Sequence, residues 1–113
     1  MRYSYDRRAM GATGQPLSRR LQDVQNDYLR EVAAELGEVL MDEGVTIRKR
    51  GDNYVEGTSS AGARVQVVVM LKNWIGIEGT VTRDRVSKVV KLNALSFAPR
   101  DVANQVVYKS GLF

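Results

Sequence analysis

Residues 16–43 repeat apolar side chains at steps of three and four, and this period constrains the fold more than any other feature of the sequence. The apolar stripe consists of Leu17, Leu21, Val24, Tyr28, Leu29, Val32, Ala33, Leu36, Val39 and Leu40. Pro16 suits the first turn of a helix, and Gly44 suits the left-handed residue that follows a helix. The pattern predicts one long amphipathic helix, whose apolar face must be covered by other elements.

Alternation with a period of two follows this helix. Residues 45–50 and 54–58 predict two short strands on either side of a turn at residues 51–53, where Gly, Asp and Asn are typical. Residues 63–71 predict the strongest strand, because five apolar residues share one of its faces. The second half of its other face is also apolar, which predicts a central strand that is partly covered on both sides.

A hairpin is predicted after this strand. Lys72-Asn73 suits a two-residue loop, and residues 74–81 alternate again as a fourth strand. Gly76 and Gly79 interrupt the apolar alternation. They predict a bulge or a close approach.

The last third of the chain fits two patterns. Residues 84–97 carry apolar side chains at helical spacing, although Val90, Leu92 and Ala94 also alternate as in a strand. We favour a helix here. Pro99 ends that segment, and residues 99–109 predict a short helix. Its inward side chains would be Val102, Ala103, Val106 and Val107.

One long helix followed by a run of strands indicates the α+β class. We predict a long N-terminal amphipathic helix packed on a three- to four-stranded antiparallel sheet, with one or two short C-terminal helices. Residues 16–113 are expected to form a single domain, because 113 residues suit one domain. Residues 1–15 show no sustained period and are predicted to be a basic extended arm.

The charge is divided into three blocks along the chain. Residues 1–20 carry five arginines and one aspartate, whereas residues 21–47 carry seven acidic residues and one arginine. Residues 48–113 carry eleven Lys and Arg against five Asp and Glu. The net charge of +4 therefore equals the excess on the first twenty residues, and the remainder pairs an acidic helix with a basic body. Such blocks influence association with partners more than they influence the fold.

Several function classes are disfavoured by composition. The chain has no Cys and no His, so it lacks a thiol nucleophile, a disulfide and the usual general base near neutral pH. No apolar run reaches the length of a membrane span, and no apolar signal segment is visible at the N-terminus. We expect no metal, no cofactor and no membrane partner, and a location in the cytoplasm or within a virion.

No constellation of catalytic residues emerges. Residues 57–62 have the glycine spacing of a phosphate-binding loop, but Ala63 and Arg64 stand where the Lys and Ser or Thr are needed. Glu56 and Glu78 are the best pair of carboxylates on neighbouring predicted strands. Each is expected to be an ordinary surface residue, so the chain is predicted not to be an enzyme.

The preferred hypothesis is a non-enzymatic protein-assembly or interaction module, such as a homo-oligomer or an accessory subunit of a larger complex, viral complexes included. The arm of one copy would lie along the acidic helix of the next, because their charges are complementary. The predicted contact residues of the arm are Arg2, Tyr3, Tyr5, Arg7 and Arg8. Those of the acidic helix face are Glu31, Glu35, Glu38 and Asp42, and those of the apolar C-terminus are Leu112 and Phe113.

The alternative hypothesis is a nucleic-acid-binding protein. Its phosphate contacts would come from two basic clusters, formed by Arg48, Lys49 and Arg50 and by Arg83, Arg85, Lys88 and Lys91. If residues 84–96 were helical, Arg85, Lys88 and Lys91 would share the face opposite the valines. A basic arm beside such clusters is a plausible phosphate footprint.

Overall fold

The computed structural model describes residues 17–72, 76–93 and 98–113, with side chains described from Asp23 onward. Within these ranges the chain forms two helices and five strands. In chain order they are α1 (Leu17–Asp42), β1 (Thr46–Arg50), β2 (Tyr54–Thr58), β3 (Arg64–Lys72), β4 (Gly76–Arg83), β5 (Val86–Leu92) and α2 (Pro99–Lys109). The predicted α+β class is confirmed.

The long helix predicted from the apolar period is α1. It ends where Gly44 adopts a φ of +84°, the left-handed conformation that glycine accepts without a steric penalty. The Gly44 amide donates to the Met41 carbonyl at 3.0 Å, and the Val45 amide donates to the Leu40 carbonyl at 3.0 Å. These bonds satisfy carbonyl groups at the end of the helix and direct the chain into β1.

The five strands form one antiparallel sheet in the order β1-β2-β3-β4-β5, so every strand pairs with its neighbours along the chain. β3 is the central strand, as predicted. Its longest pairing is with β4, from Val65 opposite Arg83 to Lys72 opposite Gly76. Lys72 therefore belongs to β3, and Asn73 of the predicted hairpin loop lies outside the described residues.

Both helices cover the same face of the sheet, which we call the inner face. α1 packs on β1, β2 and β3, whereas α2 packs on β4 and β5, and the two helices contact each other. The core lies between these layers. Val65, Val67 and Val69 of β3 are fully buried in it. The four side chains that were predicted to face inward from α2 are also fully buried: Val102, Ala103, Val106 and Val107.

Gly79 marks a close approach of another element to the strand, as its position within β4 predicted. A Cβ atom at this position would lie 2.6 Å from a Val106 methyl carbon. α2 therefore rests on the backbone of β4, and a larger residue would force the helix away from the sheet.

The helix preferred for residues 84–97 is wrong for the part that the structure describes. Residues 86–92 form β5, and the sheet consequently has five strands and a single described C-terminal helix. Asp84 has a φ of +55°, which turns the chain sharply out of β4 and is incompatible with a helix starting there. Val90 and Leu92, which also fitted alternation, then point into the core. Residues 94–97 lie outside the described residues.

The opposite face of the sheet, here the outer face, is not covered by any described element. Val68 is half-buried among its strand neighbours and Met70 is 42% exposed. The prediction that β3 is partly covered on both sides is thus wrong for Met70, because both helices take the inner face.

Candidate interaction surface

β5 is an edge strand with an unusually exposed first half. From Val86 to Val89 every residue is exposed, and the two valines are 48% and 55% exposed. The register with β4 runs without interruption through seven residue pairs. Since no described strand lies on its other side, β5 presents a regular, unpaired backbone edge to solvent.

The turn before β5 is fixed by Asp84. Its amide donates to the Arg64 carbonyl at 2.7 Å, and its Oδ1 accepts a hydrogen bond from the Arg64 amide at 3.1 Å. These two bonds tie the β4–β5 turn to the start of β3. The turn that leads into β5 is therefore held in position by β3, although the first half of β5 is exposed.

The basic residues around β5 do not share one face. Lys88 pairs with Val81 and faces the inner side, while Lys91 pairs with Glu78 and faces the outer side. Arg85 lies in the turn. All three are exposed and make no ion pair with a described residue, so their charges flank the strand edge on both sides. A shared helical face had been predicted for them, and the strand conformation overturns that arrangement.

Arg83, predicted to belong to the same basic cluster, contacts the C-terminus instead. Its Nη1 donates to the Leu112 carbonyl at 2.8 Å, and its guanidinium carbon lies 5.0 Å from the centre of the Phe113 ring. Such a cation–π contact contributes to holding the end of the chain. Leu112 and Phe113 are half-buried and pack against the core of their own chain.

The other basic cluster lies on the opposite edge of the sheet. β1 contains a bulge at Arg48, which has no partner on β2, and Lys49 pairs with Glu56 on the outer face. The Arg50 guanidinium extends over Gly37 of α1, 3.3 Å from the position a Cβ atom would take there. Four strand spacings, or roughly 19 Å, separate β1 from β5. The fold therefore does not bring the two basic clusters together.

The acidic face of α1 divides into paired and unpaired carboxylates. Arg100 of α2 lies 3.8 Å from Glu35 and 3.2 Å from Asp42, so these two acids are bridged within the chain. Glu31 and Glu38 are exposed and form no ion pair with a described residue. They are the carboxylates most accessible to a basic partner.

Two tyrosines have raised pKa values where α1 meets α2. The Tyr108 hydroxyl donates to Glu43 at 2.7 Å, and this bond favours the protonated phenol and raises the pKa of Tyr108 above 10.0. Burial, together with the negative charges of Glu31 and Asp101, raises the pKa of Tyr28. Both phenols are therefore neutral at physiological pH and act as structural contacts.

The outer face carries both apolar and polar side chains, arranged in rows across the strands. One row joins Tyr54, Val68, Thr80 and Val89. Neighbouring positions are polar and paired within the sheet. Glu56 lies 3.6 Å from Arg64, and the Thr82 and Ser87 hydroxyls are 2.8 Å apart. A largely apolar row thus lies beside a row of polar groups that are paired with one another, and Met70 lies on its other side.

The predicted carboxylate pair is not assembled. Glu56 lies on β2 opposite Gln66, whereas Glu78 lies on β4 opposite Met70, four residues further along β3. Glu78 faces a shallow depression of about 550 Å³, where Lys72 lies 4.0 Å away. The structure therefore keeps these two acids apart and gives each its own cation.

Within the described ranges, no group of three acidic side chains is arranged to hold a metal ion. Neither helix of that part of the chain has both the length and the apolar character of a membrane span. The predicted arm residues Arg2, Tyr3, Tyr5, Arg7 and Arg8 lie outside the described residues.

The exposed valines of β5 were not predicted as surface residues, because a helix over residues 84–97 would have turned Val86 and Val89 toward the core. The signal that could have found them was the density of β-branched residues. Three valines within five residues favour a strand over a helix.

Comparisons with known proteins leave the geometry as the sole guide to function. No protein-family model matches the chain, and neither a curated protein nor a solved structure does so.

Proposed function

We propose that this chain is a non-enzymatic interaction module that assembles with further copies of itself or joins a larger complex. One observation carries the proposal: both helices pack on the inner face, and the outer face is left with apolar side chains at Met70 and Val89, each more than 40% exposed. Exposed apolar side chains bordered by polar residues are typical of surfaces that bind another protein.

The distribution of charge indicates which surfaces of two copies would contact each other. Glu31 and Glu38 are exposed on α1 without an ion pair among the described residues, and residues 1–20 carry the opposite charge. The arm of one copy therefore suits the acidic helix face of the next. Exposed ion pairs contribute little individually, but several in register orient two proteins and speed their encounter.

The C-terminus has a smaller part in the proposal. Leu112 and Phe113 already use part of their surface on their own core and on Arg83. Their contribution to a partner contact is restricted to the surface that remains exposed.

The test is the oligomeric state in solution, measured by sedimentation of the full chain across a concentration series. We expect self-association that weakens when residues 1–15 are deleted and when Glu31→Gln and Glu38→Gln are combined. Glu35→Gln is the matched control, because Arg100 already neutralises Glu35 within the chain. A full chain that stays monomeric at every concentration, or one whose association is unchanged by the deletion, contradicts the arm contact.

A second candidate function, nucleic-acid binding, is favoured by the exposure of five basic residues that form no ion pair with a described residue: Arg48, Lys49, Arg85, Lys88 and Lys91. A duplex contacting both groups would have to cross the outer face past Glu56 and Glu78, which disfavours it. The test is the salt dependence of binding to DNA and RNA. Phosphate contacts predict a steep fall in affinity with salt, and removal of the charges at Arg85, Lys88 and Lys91 should flatten that slope.

A further inference from the structure

We infer that the edge of β5 binds an extended acidic segment of another protein, which adds to the sheet as a sixth strand. This surface differs from the proposed contact between the arm and α1, and it requires a different partner. The two proposals can therefore fail separately.

The backbone of β5 is prepared for strand addition. It is seven residues long, pairs with β4 without a bulge, and has no described neighbour on its other side. A row of unpaired amide and carbonyl groups of this kind can bind an extended peptide through main-chain hydrogen bonds. Two bonds to Arg64 anchor Asp84 in the preceding turn, which holds the edge in place before a partner arrives.

The side chains of β5 specify the chemistry of the partner. Lys88 on the inner side and Lys91 on the outer side make no ion pair with a described residue, and Arg85 adds a third charge at the turn. Between them, Val86 and Val89 are about half exposed. An added strand would meet a cation on each face and a valine beside each cation. Acidic residues interspersed with β-branched ones satisfy both requirements.

The same charges argue against two other occupants. Residues 1–20 are basic and would be repelled by this edge. A second copy of β5, paired antiparallel about Val89, would place the two Lys88 side chains diagonally at roughly 7–8 Å and Lys91 diagonal to Arg85 of the other copy. The lysines thus oppose pairing of β5 with itself and attract an acidic strand.

The probe is a labelled synthetic peptide with the sequence Thr-Glu-Val-Val-Glu-Thr-Val, which places its glutamates opposite Lys91 and Lys88 in an antiparallel sixth strand. Binding is measured by fluorescence anisotropy, and strand addition by hydrogen exchange of the β5 amides. We expect binding to the full chain together with slower exchange along β5. The same peptide with lysine in place of both glutamates should not bind.

Matched variants separate the edge from general charge attraction. Combining Lys88→Glu and Lys91→Glu should weaken binding by about tenfold or more, since two attractive pairs become repulsive. Combining Arg48→Glu and Lys49→Glu changes the net charge equally on the β1 edge and should leave the affinity within about twofold. Circular dichroism is the control that checks whether each variant keeps its fold.

Three results would overturn the inference. The first is equal weakening by both pairs of variants, which means general charge attraction. The second is binding without protection of the β5 amides, which means that no strand is added. The third is complete displacement of the peptide by a short oligonucleotide that binds tighter and depends on the same lysines, which assigns the edge to nucleic acid.

Discussion

The two edges of the sheet carry the same sign of charge but different backbones. β1 has five residues, a bulge at Arg48, and an arginine that folds back over α1. β5 has seven residues in unbroken register, and exposes two valines. A bulge twists an edge away from regular pairing, so β1 is protected against strand addition and β5 is open to it.

Basic residues alone therefore do not define a binding edge. Lys49 sits opposite Glu56, and Arg50 is placed beside a helix. Lys91 likewise sits opposite Glu78, but it and Lys88 lie on a strand in unbroken register that has no described neighbour on its other side. The local backbone therefore decides which of two similar charge clusters can recognise an extended partner.

The substitution expected to disrupt the packing of β1 most is Gly57→Ala on β2. The new Cβ would lie 2.3 Å from the Thr46 carbonyl oxygen and 2.9 Å from a Val45 methyl carbon. A clash with backbone cannot be relieved by a rotamer change, so we expect a loss of about 3 kcal/mol in the free energy of unfolding. Urea denaturation measures it, with Thr58→Ala on the outer face as control. Equal stability of the two variants would show that β1 shifts without cost.

The anchoring of β5 is tested by Leu92→Ala. Leu92 is 9% exposed and holds the end of β5 against the core, so its truncation should cost about 2 kcal/mol. Ile47→Ala on β1 should cost less, because Ile47 is only half-buried. A larger loss of stability from the Ile47 variant, again in urea denaturation, would contradict the expectation that Leu92 anchors β5 to the core.

The support of β1 by α1 is tested by Gly37→Ala. Alanine is favoured over glycine within a helix, and the group that its Cβ would meet is the flexible end of Arg50, 3.3 Å away. We expect a gain of about 0.5–1 kcal/mol in the free energy of unfolding. A loss of stability in thermal unfolding would mean that Arg50 is fixed over α1. The double variant with Arg50→Ala would then regain the expected stability.

The smallest expected effect concerns the contact that couples the two halves of the helical layer. Glu43 raises the pKa of Tyr108 above 10.0, so the folded state holds the phenolic proton more tightly than the unfolded chain does. This contribution is complete below the unfolded pKa and is lost as the pH rises through the folded pKa. Tyr108→Phe should lower stability slightly near neutral pH, and the difference should close above pH 10.0. A gap independent of pH would rule out the hydrogen bond as its cause.

Much of the fold could be predicted because a long, regular spacing of apolar residues fits only one type of secondary structure. The stripe from Leu17 to Leu40 and the cap at Gly44 define α1, and the valines of β3 and α2 were assigned to the core correctly. Val32, Leu36, Val39 and Leu40 of α1 are buried, as are the core valines of β3 and α2, so their spacing along the chain reflects the geometry of the element that buries them.

The edge of the sheet could not be predicted from the same signal. Val86 and Val89 are exposed, and only Val90 and Leu92 face the core in β5. With half of the strand outside the helical layer, the apolar pattern no longer reports which face is buried, and helical and strand periods fit equally. The positive φ of Asp84 excludes a helix that starts at this residue, and the sequence alone does not specify this backbone conformation.

The simple strand order has a consequence for how quickly the chain folds. Each strand pairs with the next one along the chain, so the sheet requires only short loops to close. The contact between α1 and α2 closes a much longer loop, since Asp42 and Arg100 are 58 residues apart. We expect this contact to form last, so variants at Arg100 should speed unfolding more than they slow folding.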